Sequence, residues 1–301
     1  MARSIISVGT EIPGSPDFMT YQSGESLHDY DIIVFNPRFP YYPTESYSDG
    51  AVSLDSGASD QIQEDINHWR SEINGAISDG KTVFILLAAD EKLKIKTGEK
   101  DFKGKTTIYH TTHVNNYSAL PFGITITNSK GKKIKVSDSR FFQLYDILKE
   151  HIEYETYVPG KFGTPIYTTS SGTNTLGSVF KIKDKPGNIV ILPMFDLSTL
   201  TTTRKDGETY WTKKALGVGA KLIKQLVEID KSLRRESSLT PKPNWVSDMP
   251  VSSKVASIEE RIKKIDEVIE KKKIEREGEV SKLADTASIQ CLLYENILYL
   301  L

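Results

Sequence analysis

"DYDIIVFNP", residues 29–37, decides the fold class, because Ile32, Ile33, Val34 and Phe35 run without a polar break between an acidic front and Pro37. A strand that is apolar at every position has two faces to cover, as parallel strands do inside α/β proteins. Downstream, Ile62, Ile66, Trp69, Ile73 and Ile77 recur at steps of four, three, four and four. That spacing predicts an amphipathic helix, with Ser59 as its N-cap and Gly80 as its C-cap. "KTVFILLAA" (81–89) follows as a second continuous strand. Strand, helix and strand joined by tight turns make a βαβ unit, normally parallel and right-handed. Upstream, "RSIISVG" (3–9) and "DFMTYQS" (17–23) are two further strands, while the Tyr-, Pro-, Ser- and Gly-rich stretch 38–59 reads as a loop.

The character changes over about 94–138, where Thr, Ile, Tyr and Val alternate with turn residues and "NSKGKK" suggests a hairpin tip. This is expected to be a small β insertion. A helix then carries Phe141, Leu144, Leu148 and Ile152 on one side, and "IVILPMF" (189–195) is another buried strand. A later helix is expected to bury Leu216, Ala220, Ile223 and Val227, with Leu226 beside them. The expected organisation is an α/β domain over 1–230, a Pro- and Ser-rich linker over 231–253, and a coiled coil or helical hairpin over 254–301. In that last segment Val255, Ile258, Ile262, Ile265 and Ile269 form the seam, at steps of three, four, three and four. Ile258, Ile262, Ile265 and Ile269 are thus the expected association residues. The closing "CLLYENILYLL" (291–301) presents an apolar face that asks for a partner, either those helices or a second copy.

Composition narrows the functional classes. The 301 residues carry a net charge of -1, so the chain as a whole lacks the basic character of a nucleic-acid binder, although basic patches remain. Cys291 is the single cysteine, which excludes an internal disulfide and any multi-cysteine zinc site and suits a reducing compartment. The start lacks the pattern of a secretory signal, and no stretch nears the ~20 apolar residues of a membrane span. The expectation is a cytoplasmic, soluble chain that needs no cofactor and does not enter a membrane.

The order "SIISVG", "DFMTYQS", "LHDYDIIVFN", long helix, "GKTVFILLA", β insertion, helix, "PGNIVILPMF", helix resembles the class I glutamine amidotransferase-like fold. The likeness spans about residues 1–230 and implies a flavodoxin-like sandwich. In active members a cysteine nucleophile sits on a tight elbow after the strand that here is "TVFILLA". This chain has "AADEKLK" (88–94) there, without Cys, so the resemblance implies a member that has lost that chemistry. A second stretch, "TPKPNW" (240–245) followed by a charged coiled coil and "LLYE" (292–295), is similar to the N-terminal part of large bacterial proteins. Those carry restriction-endonuclease-like C-terminal domains, some in defence contexts, and the likeness implies a piece of such a protein.

Candidate chemistry follows from position. Asp90 and Glu91 stand just past a predicted central strand, where ligand crevices of open α/β sheets form, and paired acids there suit acid–base work. Asp29 and Asp31 lie before another. Ser170, Ser171 and Thr173 belong to a Ser/Thr/Gly loop able to present amides to a phosphate, but no lysine or helix follows as in a P-loop. His110 and His113 sit three apart in a strand-like stretch, which points them to opposite faces, so no metal site is expected. "KGKKIK" (130–135), with the lysines at 94, 96, 100, 103 and 105 and Tyr109 and Tyr117, offers charge and stacking for single-stranded nucleic acid. Lysines guarding exposed strand edges explain the same residues. Trp69, Trp211 and Trp245 read as packing anchors. Taken together, these features suggest a non-catalytic module that recognises a ligand or partner and self-associates, or joins another protein, through its C-terminal helices. A hydrolase using Asp90 or Glu91 and a nucleic-acid-associated defence component are the alternatives.

Overall fold

The continuous apolar runs become the middle of an eight-stranded sheet. In the first half of the chain the elements are β1 (Ile5–Val8), β2 (Phe18–Met19), β3 (Ile32–Phe35), β4 (Thr44–Ser46), β5 (Val52–Leu54), α1 (Ser56–Ser78), β6 (Thr82–Leu87), β7 (Lys92–Lys103) and β8 (Thr106–Asn115). The second half adds β9 (Thr127–Gly131), β10 (Ile134–Val136), α2 (Phe142–Leu148), β11 (Tyr154–Tyr157), β12 (Thr164–Thr169), β13 (Thr175–Phe180) and β14 (Asn188–Pro193). It ends with β15 (Thr201–Thr203), β16 (Thr209–Trp211) and α3 (Lys213–Ser238). The structure, a computed structural model, describes residues 3–15, 17–46, 51–103, 106–203 and 208–238, together with a set of helical positions between 260 and 286. Residues 1–239 and 240–301 form two separate units.

The sheet runs β10-β12-β13-β14-β6-β3-β1-β2. β2, β1, β3, β6 and β14 pair in parallel, and β14, β13, β12 and β10 antiparallel, so the sheet is mostly parallel and mixed only toward one edge. Alternation divides each central strand between two cores. Ile5, Ile32, Val34, Phe84, Leu86, Val190 and Leu192 face α2 and α3. Ile6, Val8, Ile33, Phe35, Val83, Ile85, Leu87, Ile189 and Ile191 face α1, where Trp69, Ile73 and Ile77 fill the second layer. Helices on both sides are what the unbroken runs demanded.

Local differences from the sequence pattern have physical causes. The cap of α1 is Asp55, whose carboxylate accepts the Ala58 N–H at 2.7 Å, and the expected cap Ser59 lies inside the helix, donating to the Asp55 carbonyl at 2.6 Å. The loop expected over 38–59 contains the short β4–β5 hairpin, because Leu54 and Tyr42 have a small core of their own with Ile62, Ile66 and Ile95. "NSKGKK" is not a hairpin tip: β9 pairs with β11 and β10 with β12, so that segment passes from one sheet to another. The buried stripe of α3 is Ala215, Gly219, Leu222, Leu226, Ile229 and Leu233, one position round from the expected one, with Leu216 and Ala220 outside. α3 also continues through Ser238, over the first residues assigned to the linker.

Gly219 explains the rotation of α3. A Cβ there would lie 1.8 Å from the Pro13 carbonyl oxygen, so only glycine lets the helix close on the chain after β1. In the second unit the described positions are helical, Lys264 pairs with Glu260 at 2.8 Å, and Ile265 and Ile269 are 58% and 48% exposed. Ile258 and Ile262 of the expected seam, Trp245, and residues 291–301 lie outside the described residues.

Two glycines on α3 make a sharp comparison. Gly219→Ala should lower unfolding stability by about 1–3 kcal/mol through overpacking. Gly217, which has open space around its Cβ position, should gain about 0.5–1 kcal/mol as alanine in a helix interior. Urea unfolding of both variants checks this, and equal midpoints would contradict the packing of Pro13 on α3.

Candidate functional site

The carboxyl ends of the parallel strands open on a crevice of about 650 Å³. Much of its wall comes from segments just past the parallel strands. Thr10 and Glu11 follow β1, Arg38 follows β3, and Met194, Phe195 and Asp196 follow β14. His151 and Glu153 lead into β11, which carries Glu155, and Trp211 closes one side from β16. The chain leaves β1 through Gly9, whose φ of 68° and whose approach to the Asn36 carbonyl (2.9 Å from a would-be Cβ) both favour glycine. Asn36, buried, then donates to the Gly9 carbonyl at 3.0 Å and accepts the Arg38 N–H at 3.1 Å, which fixes where Arg38 leaves the sheet.

Arg38 stands between two carboxylates. Its guanidinium pairs with Glu155 and its Nε faces Glu91 Oε1 at 3.6 Å. The same Glu155 oxygen accepts the Ala89 N–H at 3.3 Å. On the far wall the Trp211 indole N–H donates to Glu11 at 2.9 Å, so this tryptophan serves the crevice and not only packing. Glu11, Glu153, Glu155 and Asp196 set four carboxylates against Arg38 and Lys130 among the lining residues. With Arg38 already paired to Glu155, the remaining charged lining is mostly acidic.

The turn after β6 is tied down at every step. Tyr117, buried, donates its hydroxyl to the Ala88 carbonyl at 2.5 Å. Asn116, fully buried, donates to the Ala89 carbonyl at 2.9 Å and accepts the Glu91 N–H at 3.1 Å. Asn128 accepts the Asp90 N–H at 2.8 Å. These latches come from the 3-10 turn after β8 and from β9, which bring the insertion back over the end of β6. Burial pushes the Tyr117 hydroxyl well above its ordinary pKa, helped by Asp90, Glu155 and Glu91 nearby.

The sequence-predicted residues are not all gathered here. Glu91 accepts the Phe39 N–H at 3.2 Å and borders a smaller cavity of about 420 Å³ with Tyr41, Tyr42 and Lys92. The Asp90 carboxylate faces Lys92 at 3.6 Å, and neither acid lines the large crevice. Ser170, Ser171 and Thr173 lie in the β12–β13 turn, where the Ser171 hydroxyl is 3.0 Å from that of Thr169 and 2.8 Å from that of Thr173. Asp31 serves the opposite end of the sheet, pairing with Arg3 at 2.9 Å. His110 and His113 stand exposed on opposite faces of β8, His110 beside Asp101 at 2.9 Å. Among the described residues no three of His, Cys, Asp and Glu converge as metal ligands. No helix there is long and apolar enough to cross a membrane.

The sequence pattern marks neither Arg38 nor Glu155, and it presents Trp211 as a packing anchor. For Arg38 position alone is a signal, since a charged residue three positions past a buried parallel strand sits where crevices form. Glu155 lies on a strand outside the main sheet, and nothing local marks it. No protein-family model matches the chain, and no curated protein or solved structure matches it.

Glu91 gives a pH prediction. Burial raises its carboxyl pKa above the ordinary value; the Phe39 N–H and Arg38 pull it down, and Glu155 pushes it up again. Folding therefore favours the protonated acid, and that contribution is full below the ordinary carboxylate pKa and is lost as pH climbs through the raised one. Glu91→Gln should thus gain stability relative to the native chain as pH rises above the ordinary carboxylate range, as read by urea unfolding. A difference independent of pH would contradict the assignment.

Proposed function

We propose that residues 1–239 form a non-catalytic module that recognises a polar, amine-bearing small molecule in the strand-end crevice, and that the helices beyond it mediate self-association. The observation that carries this reading is the turn after β6. It holds Ala88, Ala89, Asp90 and Glu91, with no thiol or hydroxyl side chain, and the amides of Ala89, Asp90 and Glu91 are already taken by Glu155, Asn128 and Asn116. A nucleophile elbow needs both an exposed nucleophile and free amides for a developing oxyanion. The strand order β2-β1-β3-β6-β14, with helices on both faces, supports reading the unit as a flavodoxin-like sandwich of order 2-1-3-4-5, of the amidotransferase-like kind. In such sheets ligands sit where β1 and its neighbour send their loops apart, which is where Glu11 and Arg38 stand.

The hydrolytic alternative has less support. Glu91 is occupied by Phe39 and Arg38, and Asp90 turns to Lys92. Self-association is supported by the exposed Ile265, Val268 and Ile269, whose burial on a second copy would remove apolar surface from water.

A thermal-shift screen of arginine, spermidine, choline and uncharged or anionic controls tests the crevice. At about 100 times Kd a ligand adds about 2.7 kcal/mol, which raises Tm by roughly 5–10 °C in a unit of this size. The shift should follow the amines, quench Trp211 emission, and vanish in Glu11→Gln with Glu155→Gln. Shifts by anions alone, or shifts that survive the double variant, would overturn the assignment. For association, light scattering on the full chain should give more than a monomer mass, and Ile265→Lys with Ile269→Lys should return it to a monomer; a native monomer would reject that role.

A further inference from the structure

We propose that one face of the β7–β8 arm binds single-stranded nucleic acid, a surface separate from the crevice. Among the described residues the two strands pair only with each other and lie outside the main sheet. The 12-residue β7 reaches roughly 40 Å at ~3.3 Å per residue. Its root is anchored by Leu93, Ile95 and Val114, which pack on Ile62 and Ile66 of α1.

Register sorts the arm into two unlike faces. Lys92, Lys94 and Lys96 pair with Asn115, His113 and Thr111, and after an irregularity Lys100 pairs with Tyr109 and Phe102 with Thr107. Alternate residues along β8 share a face, so these lysines and both rings lie on the same side. The Tyr109 ring confirms it, with the Lys96 ammonium 4.5 Å from its centroid and that of Lys100 5.5 Å away. Asp101, Ile108 and His110 occupy the other side, where Asp101 holds His110 at 2.9 Å. In a chain of net charge -1, residues 92–115 hold six lysines (92, 94, 96, 100, 103 and 105) against Glu99 and Asp101.

The members of the lysine face divide the work. Lys96 is buried and bonded to Glu45, so it braces Tyr109 and is not available to a ligand. Tyr109 in turn positions Lys100, which is exposed with Lys92. Phe102, two residues farther along, is 76% exposed. Exposed ammonium groups along a strand match a phosphate backbone, and a bare ring beside them matches an unstacked base. A duplex hides its bases from such a ring. A lipid surface would favour apolar side chains entering together, but Phe102 and Ile108 lie on opposite faces of the ribbon.

Fluorescence anisotropy on the full chain, with labelled oligothymidylate and oligouridylate of about 16 nucleotides, tests this against a duplex of equal length and phosphatidylserine vesicles. Single strands should bind at least about tenfold more tightly than duplex. Between about 50 and about 200 mM salt the log–log slope should be near −2, about −0.7 for each of Lys92, Lys94 and Lys100. Phe102→Ala should weaken binding about tenfold with the slope unchanged. Lys100→Ala should make the slope shallower by about 0.7. Both side chains are exposed, so an unchanged Tm verifies the fold, and the crevice variants Glu11→Gln with Glu155→Gln should bind the oligonucleotides normally. Absent single-strand binding, equal affinity for duplex, vesicle binding without oligonucleotide binding, or an unaffected Phe102→Ala variant would each overturn the proposal.

Discussion

A fully buried carboxylate holds the two-sided sheet together. Asp230 of α3 has no exposed surface, and its Oδ1 accepts the Thr82 hydroxyl at 2.7 Å and the Arg234 Nε–H at 2.8 Å. Its other oxygen faces Arg3 Nε at 3.2 Å, and Arg3 also pairs with Asp31 ahead of β3. Thr82 begins β6, which is apolar on both faces and sits between β3 and β14. A charge buried so deeply costs several kcal/mol unless it is compensated, and removing one partner leaves that cost standing. The network thus specifies where α3 lands along the sheet, while the apolar stripe from Ala215 to Leu233 specifies only which side it covers.

This arrangement gives the two ends of the sheet different characters. At the amino ends, Arg3, Asp31, Asp230 and Arg234 neutralise one another and α3 closes over them. At the carboxyl ends, the turn after β6 is latched by Asn116, Tyr117 and Asn128, whereas the loops after β1, β3 and β14 part around the crevice. Charges at the first end are paired with one another, while the lining groups at the second surround open space. The rigid latch beside Arg38 also keeps Glu155 in place, because one carboxylate oxygen serves both Arg38 and the Ala89 amide.

Residues whose environment is set by near neighbours were legible in the sequence. Ile32–Phe35 and Val83–Leu87 announce double burial, and the Ile62 to Ile77 stripe announces α1, because each signal lies within one element. The rotation of α3 was not legible: Leu216, Ile223 and Val227 offer a stripe as apolar as the true one. The approach of Pro13, some two hundred residues away, and the buried Asp230 network decide between them. The crevice was half legible for a similar reason. Its place at the strand ends follows from topology, but Glu155 reaches it from a separate two-stranded sheet and Trp211 from a hairpin beyond β14, with no local mark on either.

Lysine on a free strand has two physical explanations, and the arm separates them. Edge strands avoid pairing with other chains by being short or by carrying charge. The main sheet uses the first device, ending in the two-residue β2 and the three-residue β10. The arm is long, so charge is its natural protection, and lysines alone would need no further account. Phe102 is not covered by that account. A ring 76% exposed near a ribbon's tip invites the association that the lysines prevent, and it stands on the lysine face, away from the apolar root. Edge protection would favour a polar residue there. A surface that takes up phosphates and a stacked base accounts for the ring and the charges together.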